Sequence, residues 1–318
     1  MKPILYLAPL QGITDTVYRN TFAKYFNGFD VAITPFILAT QSNRIRLSHL
    51  KDLLTEDNSG MSIIPQILSN NPEHFVLLAR YLFELGYENI NWNLGCPYPM
   101  VVRKKRGAGL LPHAEIVESF LEKTIPSIPN KLSIKTRLGY NQADEIFPLL
   151  EIFNQYPLTE IIIHPRTGKQ MFEGNTDPHA FGKCLFLSEH PLVYNGDIKD
   201  SHTFMVLSHR FKDTDRWMIG RGTIANPFLP AIIKSGSDTF SNKIDKIKLF
   251  HDELFDQYRQ ILSGPSHIVE RMKGFWFYFS QSFKDSKKIL KQIHKTKKDD
   301  QYLEVVDRFF DEDAEWIA

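Results

Sequence analysis

The segment Asn91-Trp92-Asn93-Leu94-Gly95-Cys96-Pro97 closes an apolar run and places a thiol at its end. A cysteine between glycine and proline, just past a strand, lies on a turn that cannot continue the strand, so its side chain projects from the rim of a sheet. One reading of Cys96 is a small buried hydrophobe, the usual fate of a free cysteine. The other is a reacting group. A thiol near its unperturbed pKa of ~8.5 is mostly protonated at neutral pH and suits a general acid. A nucleophilic thiol would want a base beside it, and no close-range histidine partner is visible. Cys184, the other of the two cysteines, falls in the helical stretch 181–187 with no comparable setting.

Other polar groups close apolar runs in the same way. Ala8-Pro9-Leu10-Gln11-Gly12 ends the first, Pro65-Gln66-Ile67 the third and Lys135-Thr136-Arg137 the fifth. His164-Pro165-Arg166-Thr167 ends the sixth, Asn195-Gly196-Asp197 the seventh and Gly220-Arg221-Gly222 the eighth. Singly, Gln66 reads as well as a satisfied edge amide, His164 as a core histidine and Gly196 or Gly220 as turn residues. Together they bring amide, ammonium, imidazole and guanidinium groups to one place if the strand ends converge.

The elements that would make them converge are strands at 4–9, 31–36, 62–68, 89–93, 132–136, 161–164, 192–195 and 217–220, with helix-like intervals between them. Phe75, Leu78, Ala79 and Leu82 recur at helical spacing within 72–85, and 114–124 reads as another helix. Asn71-Pro72-Glu73 and Leu111-Pro112 resemble helix starts, and Gly86 a helix stop. Eight such units over about 230 residues fit a (β/α)8 barrel. An open doubly wound sheet uses the same units, but a barrel gathers the polar strand ends at one mouth. The glycine-containing seventh and eighth loops are where such barrels bind phosphate through backbone N–H groups, and Arg221 can add a forked pair. A phosphate-bearing cofactor is expected. After Ser235-Gly236-Ser237-Asp238-Thr239 no further strand is visible, so the division expected is a barrel over 1–238 and a smaller all-helical domain over 239–318.

With 318 residues, 42% hydrophobic and 24% charged, the composition is that of an ordinary globular protein. Two cysteines make no disulfide framework, which favours a reducing cytoplasm. The apolar run after Lys2 is too short for a signal peptide, and no apolar stretch approaches the ~20 residues that span a bilayer. No membrane and no metal partner is expected, and a monomer is. A net charge of +1 hides a sharp separation: residues 284–298 hold seven lysines and one acid, whereas 299–318 hold eight acids and one arginine. Lys284, Lys287, Lys288, Lys291 and Lys295 step by three and four and so share one side of a helix. Arg103-Lys104-Lys105-Arg106, shortly after Cys96, is a second basic run. Both are candidate contacts for a polyanion, or else solvated faces.

The ordered set Ala8-Pro9-Leu10-Gln11-Gly12-Ile13-Thr14-Asp15, Asn93-Leu94-Gly95-Cys96-Pro97, Lys135-Thr136-Arg137, His164-Pro165-Arg166-Thr167, Asn195-Gly196-Asp197 and Ile219-Gly220-Arg221-Gly222 resembles the tRNA-dihydrouridine synthase family across the whole barrel. The resemblance implies an FMN enzyme that reduces the C5–C6 double bond of a uridine in the D-loop of tRNA, with NADPH as electron donor. Hydride goes from reduced FMN to C6, and Cys96, by position, protonates C5. Pro9, Leu10, Gln11 and Gln66 resemble residues bordering the flavin ring, and Lys135 the lysine at its electron-poor end. His164 and Arg166 resemble residues lining cofactor and substrate. Asn195, Gly196, Asp197, Gly220 and Arg221 resemble the phosphate loops, and Asn93 a residue that positions flavin or uracil. Arg103, Lys104, Lys105, Arg106, Lys287 and Lys291 become expected tRNA contacts, and Gly107-Ala108-Gly109 a hinge beside the bound base. Pro165 and the Leu10-Gln11 pair depart from the commoner family residues without removing a functional group. Two other classes fit parts of this pattern: a flavin barrel acting on a free pyrimidine or other small molecule, and a tRNA-binding protein without catalysis.

Overall fold

The computed structural model describes residues 2–40, 50–54 and 60–318. Ten parallel segments form its sheet: β1 (Ile4–Leu7), β2 (Val31–Ile33), β3 (Ile37–Leu38), β4 (Ile63–Ile64), β5 (Gln66–Leu68), β6 (Asn89–Leu94), β7 (Lys131–Gly139), β8 (Leu158–Thr167), β9 (Leu192–Asn195) and β10 (Arg216–Ile219). β2 and β3 are two pieces of one strand, and β4 and β5 are another pair divided by Pro65, which has no N–H to give the ladder. β1 pairs with both β10 and β2, β2 with β4, β3 with β5, and β5 through β10 pair in sequence. The circuit therefore closes as an eight-stranded barrel, as the spacing of the apolar runs predicts.

Alternation within the strands decides what faces each way. In β6, Ile90, Trp92 and Leu94 pack outward into the core beneath the helices, where Trp92 stacks on Phe120 with centroids 4.0 Å apart. Asn91 and Asn93 face inward and are buried there. The floor is closed by Tyr6, Ala8, Ile33, Ile162, Val193 and Met218. Below them Glu160 Oε2 accepts from Tyr6 (2.7 Å) and Arg216 (2.7 Å).

Around the barrel lie α1 (Thr16–Tyr25), α2 (Pro72–Glu84), α3 (Ala114–Thr124), α4 (Ile146–Phe153), α5 (Pro178–Leu187), α6 (Ser201–Arg210), α7 (Arg221–Ala225) and α8 (Leu229–Ser235). Asn71 caps α2 by accepting from His74 N, with Pro72 in the first turn. The start expected at Leu111-Pro112 falls slightly later: those residues remain in the preceding turn, and His113 precedes the helix without a side-chain cap.

The C-terminal helices α9 (Lys243–Ile261), α10 (Pro265–Phe279), α11 (Ser286–Lys295) and α12 (Asp299–Arg308) share one core with the first βα unit. Tyr18 of α1 stacks on Phe275 at 5.7 Å, and Tyr258 and Arg271 both donate to Asp15, at 2.6 and 2.7 Å. Arg271 also donates to the Gly12 carbonyl (2.9 Å), so the helical region grips the first loop of the barrel mouth. Among the described residues no helix is long and apolar enough to cross a membrane.

Candidate active site

Cys96 sits at the mouth end of β6 and is almost fully buried. Its turn is held from two sides. Asn93 Oδ1 accepts the backbone N–H groups of Gly95 (3.0 Å) and Cys96 (2.9 Å), and the Cys96 carbonyl accepts from Ala108 N (3.0 Å). Gly107 makes that second contact possible: its φ is +53°, and a Cβ there would lie 2.7 Å from the Cys96 carbonyl oxygen. Residues 107–110, where a hinge is expected from the sequence, form a buried tight turn that braces the cysteine in this structure. Asn93 has both ends engaged, since its Nδ2 donates to Gln66 Oε1 (2.7 Å).

Lys135 and Arg137 follow on the inward face of β7, two residues apart. Arg137 donates to the carbonyls of Gly95 (2.9 Å) and Thr167 (2.9 Å) and lies over the Phe172 ring, binding β7 to the turn after β6 and to the end of β8 and the turn beyond it. The Lys135 ammonium has no hydrogen-bond partner among the described residues, and burial with the nearby Arg137 charge holds its pKa down to about 7. Burial pushes the Cys96 thiol up, against the opposing pull of the Tyr98 backbone N–H and then of the Arg137 and Lys135 charges. The resting state is a protonated thiol with cations beside it.

On β8, Arg166 is buried and all five of its N–H groups have partners. It donates to the carbonyls of Glu173 (3.2 Å) and Gly174 (2.6 Å), to His164 Nε2 (3.0 Å), and in a fork to Asp197 at 3.2 and 2.5 Å. Asp197 also accepts from Arg221 (2.8 Å). Arg166 thus holds the mouth together and has no N–H left for a ligand, whereas Arg221 is more than a third exposed. Asn195 ties β9 to β10 through the Met218 carbonyl (3.0 Å), and Gly196 is buried beside His164. The loops after β9 and β10 abut: a Cβ on Gly222 would lie 2.1 Å from the Ile198 carbonyl oxygen. Gly220 precedes α7. In the first loop Pro9 and Leu10 are half-buried, Thr14 accepts from Leu10 N (2.8 Å), and Gln11 is exposed.

The structure therefore brings Gln66, Asn93, Cys96, Lys135, His164, Arg166, Asn195, Gly196, Asp197, Gly220 and Arg221 to one mouth, with Pro9 and Leu10 at its edge. Four cationic side chains (Lys135, Arg137, Arg166 and Arg221) meet there with the Asp197 carboxylate, and their summed positive field, with Lys135 and Arg221 as the available donors, fits an anionic, phosphate-bearing cofactor. Among the described residues no cluster of three or more His, Cys, Asp or Glu could hold a metal ion. The basic residues lie outside the mouth. Arg103, Lys104 and Lys105 are exposed, Arg106 is tied to Asn70 (3.1 Å), and Lys287 and Lys291 are exposed on α11. Lys284 and Lys288 are instead paired with Glu315 and Asp313 of the tail. The sequence reading gave Arg137 and Asn91 no role of their own, although both carry the period-2 signal, each two residues before or after a residue already singled out.

Known proteins can be set beside this geometry. The sequence profile of the family described as dihydrouridine synthase matches residues 6–314. A tRNA-dihydrouridine synthase B of Pasteurella multocida is 28% identical over 240 residues, covering 74% of this chain and 70% of its own. A protein named probable tRNA-dihydrouridine synthase 2 of Bacillus subtilis is 27% identical over 321 residues, covering 97% and 94%. Among solved structures, an old yellow enzyme homologue from Zymomonas mobilis superposes with a TM-score of 0.55 at 12% identity, covering 76% of this chain and 91% of that one. Morphinone reductase in complex with tetrahydroNAD gives 0.53 at 9% identity, covering 77% and 89%. These two share the fold, and the near full-length profile match carries the kinship: the chain belongs to the dihydrouridine synthase family.

Proposed function

We propose that this protein reduces a D-loop uridine of tRNA to dihydrouridine, with FMN held at the barrel mouth and NADPH as electron donor. The observation that carries this reading is Cys96, a protonated thiol braced by Asn93 and Gly107 at a mouth rich in cations. Reduced FMN, when bound, supplies the hydride that reaches C6 of the uracil. The chain supplies the rest. Cys96 transfers its S–H proton to C5, and the thiolate left behind is stabilised by Lys135 and Arg137, which already favour that form. Solvent returns the proton. Lys135, without a hydrogen-bond partner among the described residues, offers its ammonium to negative charge on the cofactor ring. Gln66, Pro9 and Leu10 border the ring, while Gly196, Gly220 and Arg221 receive the phosphate, Arg221 turning from Asp197 to do so. Asp197, His164 and Arg166 hold these loops in place.

The region 239–318 serves as a tRNA-binding domain in this reading, with Lys287 and Lys291 on one side and Arg103 to Lys105 near the mouth as phosphate contacts. One chain supplies every group named. The test is to reconstitute the protein with FMN, reduce it with NADPH, and add either tRNA lacking dihydrouridine or free uracil. Flavin bands, and fast reoxidation by tRNA alone with dihydrouridine formed, are expected. Equal reoxidation by uracil would point to a small-molecule reductase. No flavin bands would end the reading.

A further inference from the structure

Gln66, Asn91 and Ser133 stand at one height on β5, β6 and β7, where Gln66 is in register with Asn91 and Asn91 with Ser133. All three are buried. Ser133 Oγ donates to the Ile90 carbonyl (3.2 Å) and accepts from Asn91 Nδ2 (2.8 Å). Asn91 Oδ1 accepts from Gln66 Nε2 (2.7 Å), and Gln66 Oε1 accepts from Asn93 Nδ2 (2.7 Å). Asn93 Oδ1 then takes the two N–H groups of the Cys96 turn.

The row has one direction. A backbone carbonyl, which can only accept, closes one end, and two backbone N–H groups, which can only donate, close the other. Turning the Gln66 or Asn93 amide over would set N–H against N–H on one side and oxygen against oxygen on the other, and turning Asn91 would set its N–H groups against those of Gln66 and draw the Ser133 hydroxyl off the Ile90 carbonyl. We infer that Asn91 and Ser133 are positioning residues: they fix the sense of the Gln66 and Asn93 amides and, through Asn93, the placement of the Cys96 turn. Neither bonds to that turn, and Asn91 is three hydrogen bonds removed from it. Gln66, fully buried, consequently keeps its amide in one fixed sense between Asn91 and Asn93. The inference rests on the proposed reduction at Cys96 for its catalytic meaning, but the geometry has a readout of its own.

The test uses full-length Asn91→Leu, Asn91→Asp and Ser133→Ala, each in a Cys184→Ala background so that Cys96 is the one thiol. The rate of alkylation of Cys96 by iodoacetamide is followed against pH in the flavin-free protein, and kcat and KM for tRNA reduction are measured in the reconstituted enzyme. Asn91→Leu leaves Gln66 Nε2 without its acceptor and Ser133 without its donor, so the alkylation profile should shift and kcat should fall about tenfold or more with little change in KM. Asn91→Asp accepts from Gln66 in either protonation state and should restore both readouts. Ser133→Ala should move them in the direction of Asn91→Leu, by less. A folded Asn91→Leu with wild-type alkylation and kcat would overturn the inference, as would an Asn91→Asp equally impaired. If Asn91→Leu does not fold, Ser133→Ala decides, and unchanged values in both readouts would overturn it. If the parent protein reduces no tRNA, the proposed function fails while the alkylation profiles still judge the row of amides.

Discussion

Arg166 sets its Nη1 3.0 Å from His164 Nε2, and the two share the inward face of β8 because they are two residues apart. A guanidinium only donates, so Nε2 accepts and the imidazole proton resides on Nδ1. Burial, with the charges of Arg137, Lys135, Arg166 and Arg221, holds the His164 pKa well below its ordinary value. His164 is therefore a neutral ring in a cationic setting.

That neutrality has a pH consequence. An unfolded histidine titrates near ~6.5, whereas folded His164 takes up its proton only well below that. As pH falls through about 6.5 the unfolded chain binds the extra proton first, so this site's share of stability is present above that pH and lost below it. His164→Gln should flatten the acid limb of Tm against pH. Identical slopes for the two proteins between pH 4.5 and 6.5 would show that His164 charges freely in the folded state.

Arg166→Met should destabilise the protein by about 3–5 kcal/mol, because it leaves Asp197 and two carbonyls short of a donor in a buried setting. Arg166→Lys should recover little of this, since one ammonium cannot span the fork. Urea denaturation measures both, and a loss below about 1 kcal/mol for the methionine variant would contradict the bracing role.

Cys96→Ala should leave flavin binding and NADPH oxidation in place and lower dihydrouridine formation by ~10²–10⁴-fold. Gly107→Ala should do the same to a smaller extent, because its Cβ would press on the Cys96 backbone. Cys184, on the buried face of α5 with its thiol pushed up to about 12, should tolerate alanine with no effect on turnover. Single-turnover reoxidation of the reduced flavin by tRNA separates these cases, and a Gly107→Ala enzyme as fast as the parent would remove the brace from the account.

The lysines of α11 divide into two sets. Lys287 and Lys291 are exposed with no ion pair among the described residues, while Lys284 and Lys288 meet tail carboxylates. Lys287→Ala/Lys291→Ala should therefore lower the slope of log affinity for tRNA against log salt by up to about two, one per lost phosphate contact. Lys284→Ala/Lys288→Ala should change it less. Equal slopes in all three proteins would move the tRNA off α11 and onto Arg103, Lys104 and the barrel mouth.

Much of the architecture is written locally. The alternation in residues 89–94 assigns Ile90, Trp92 and Leu94 to the helix side and Asn91 and Asn93 to the interior, because side chains on a strand reverse face at every residue. Asn71-Pro72 marks the start of α2 for an equally local reason, one capping oxygen and one preset φ. The polar residues at the strand ends were legible as a group for the same cause: a closed parallel barrel has one mouth, and every strand delivers its last residues to it. What tertiary structure alone decided is which of those groups remain available. Arg166 and Arg221 read alike in sequence, yet one uses all five N–H groups on neighbours and the other is more than a third exposed. Lys284 and Lys287 read alike, yet the tail returns to neutralise the first. Hydrogen bonds and ion pairs between residues 25 to 42 positions apart, such as Gln66 with Asn91 or Gly95 with Arg137, depend on barrel register and on the direction each donor points. Neither is a property of the local chain, so no periodicity or spacing records it.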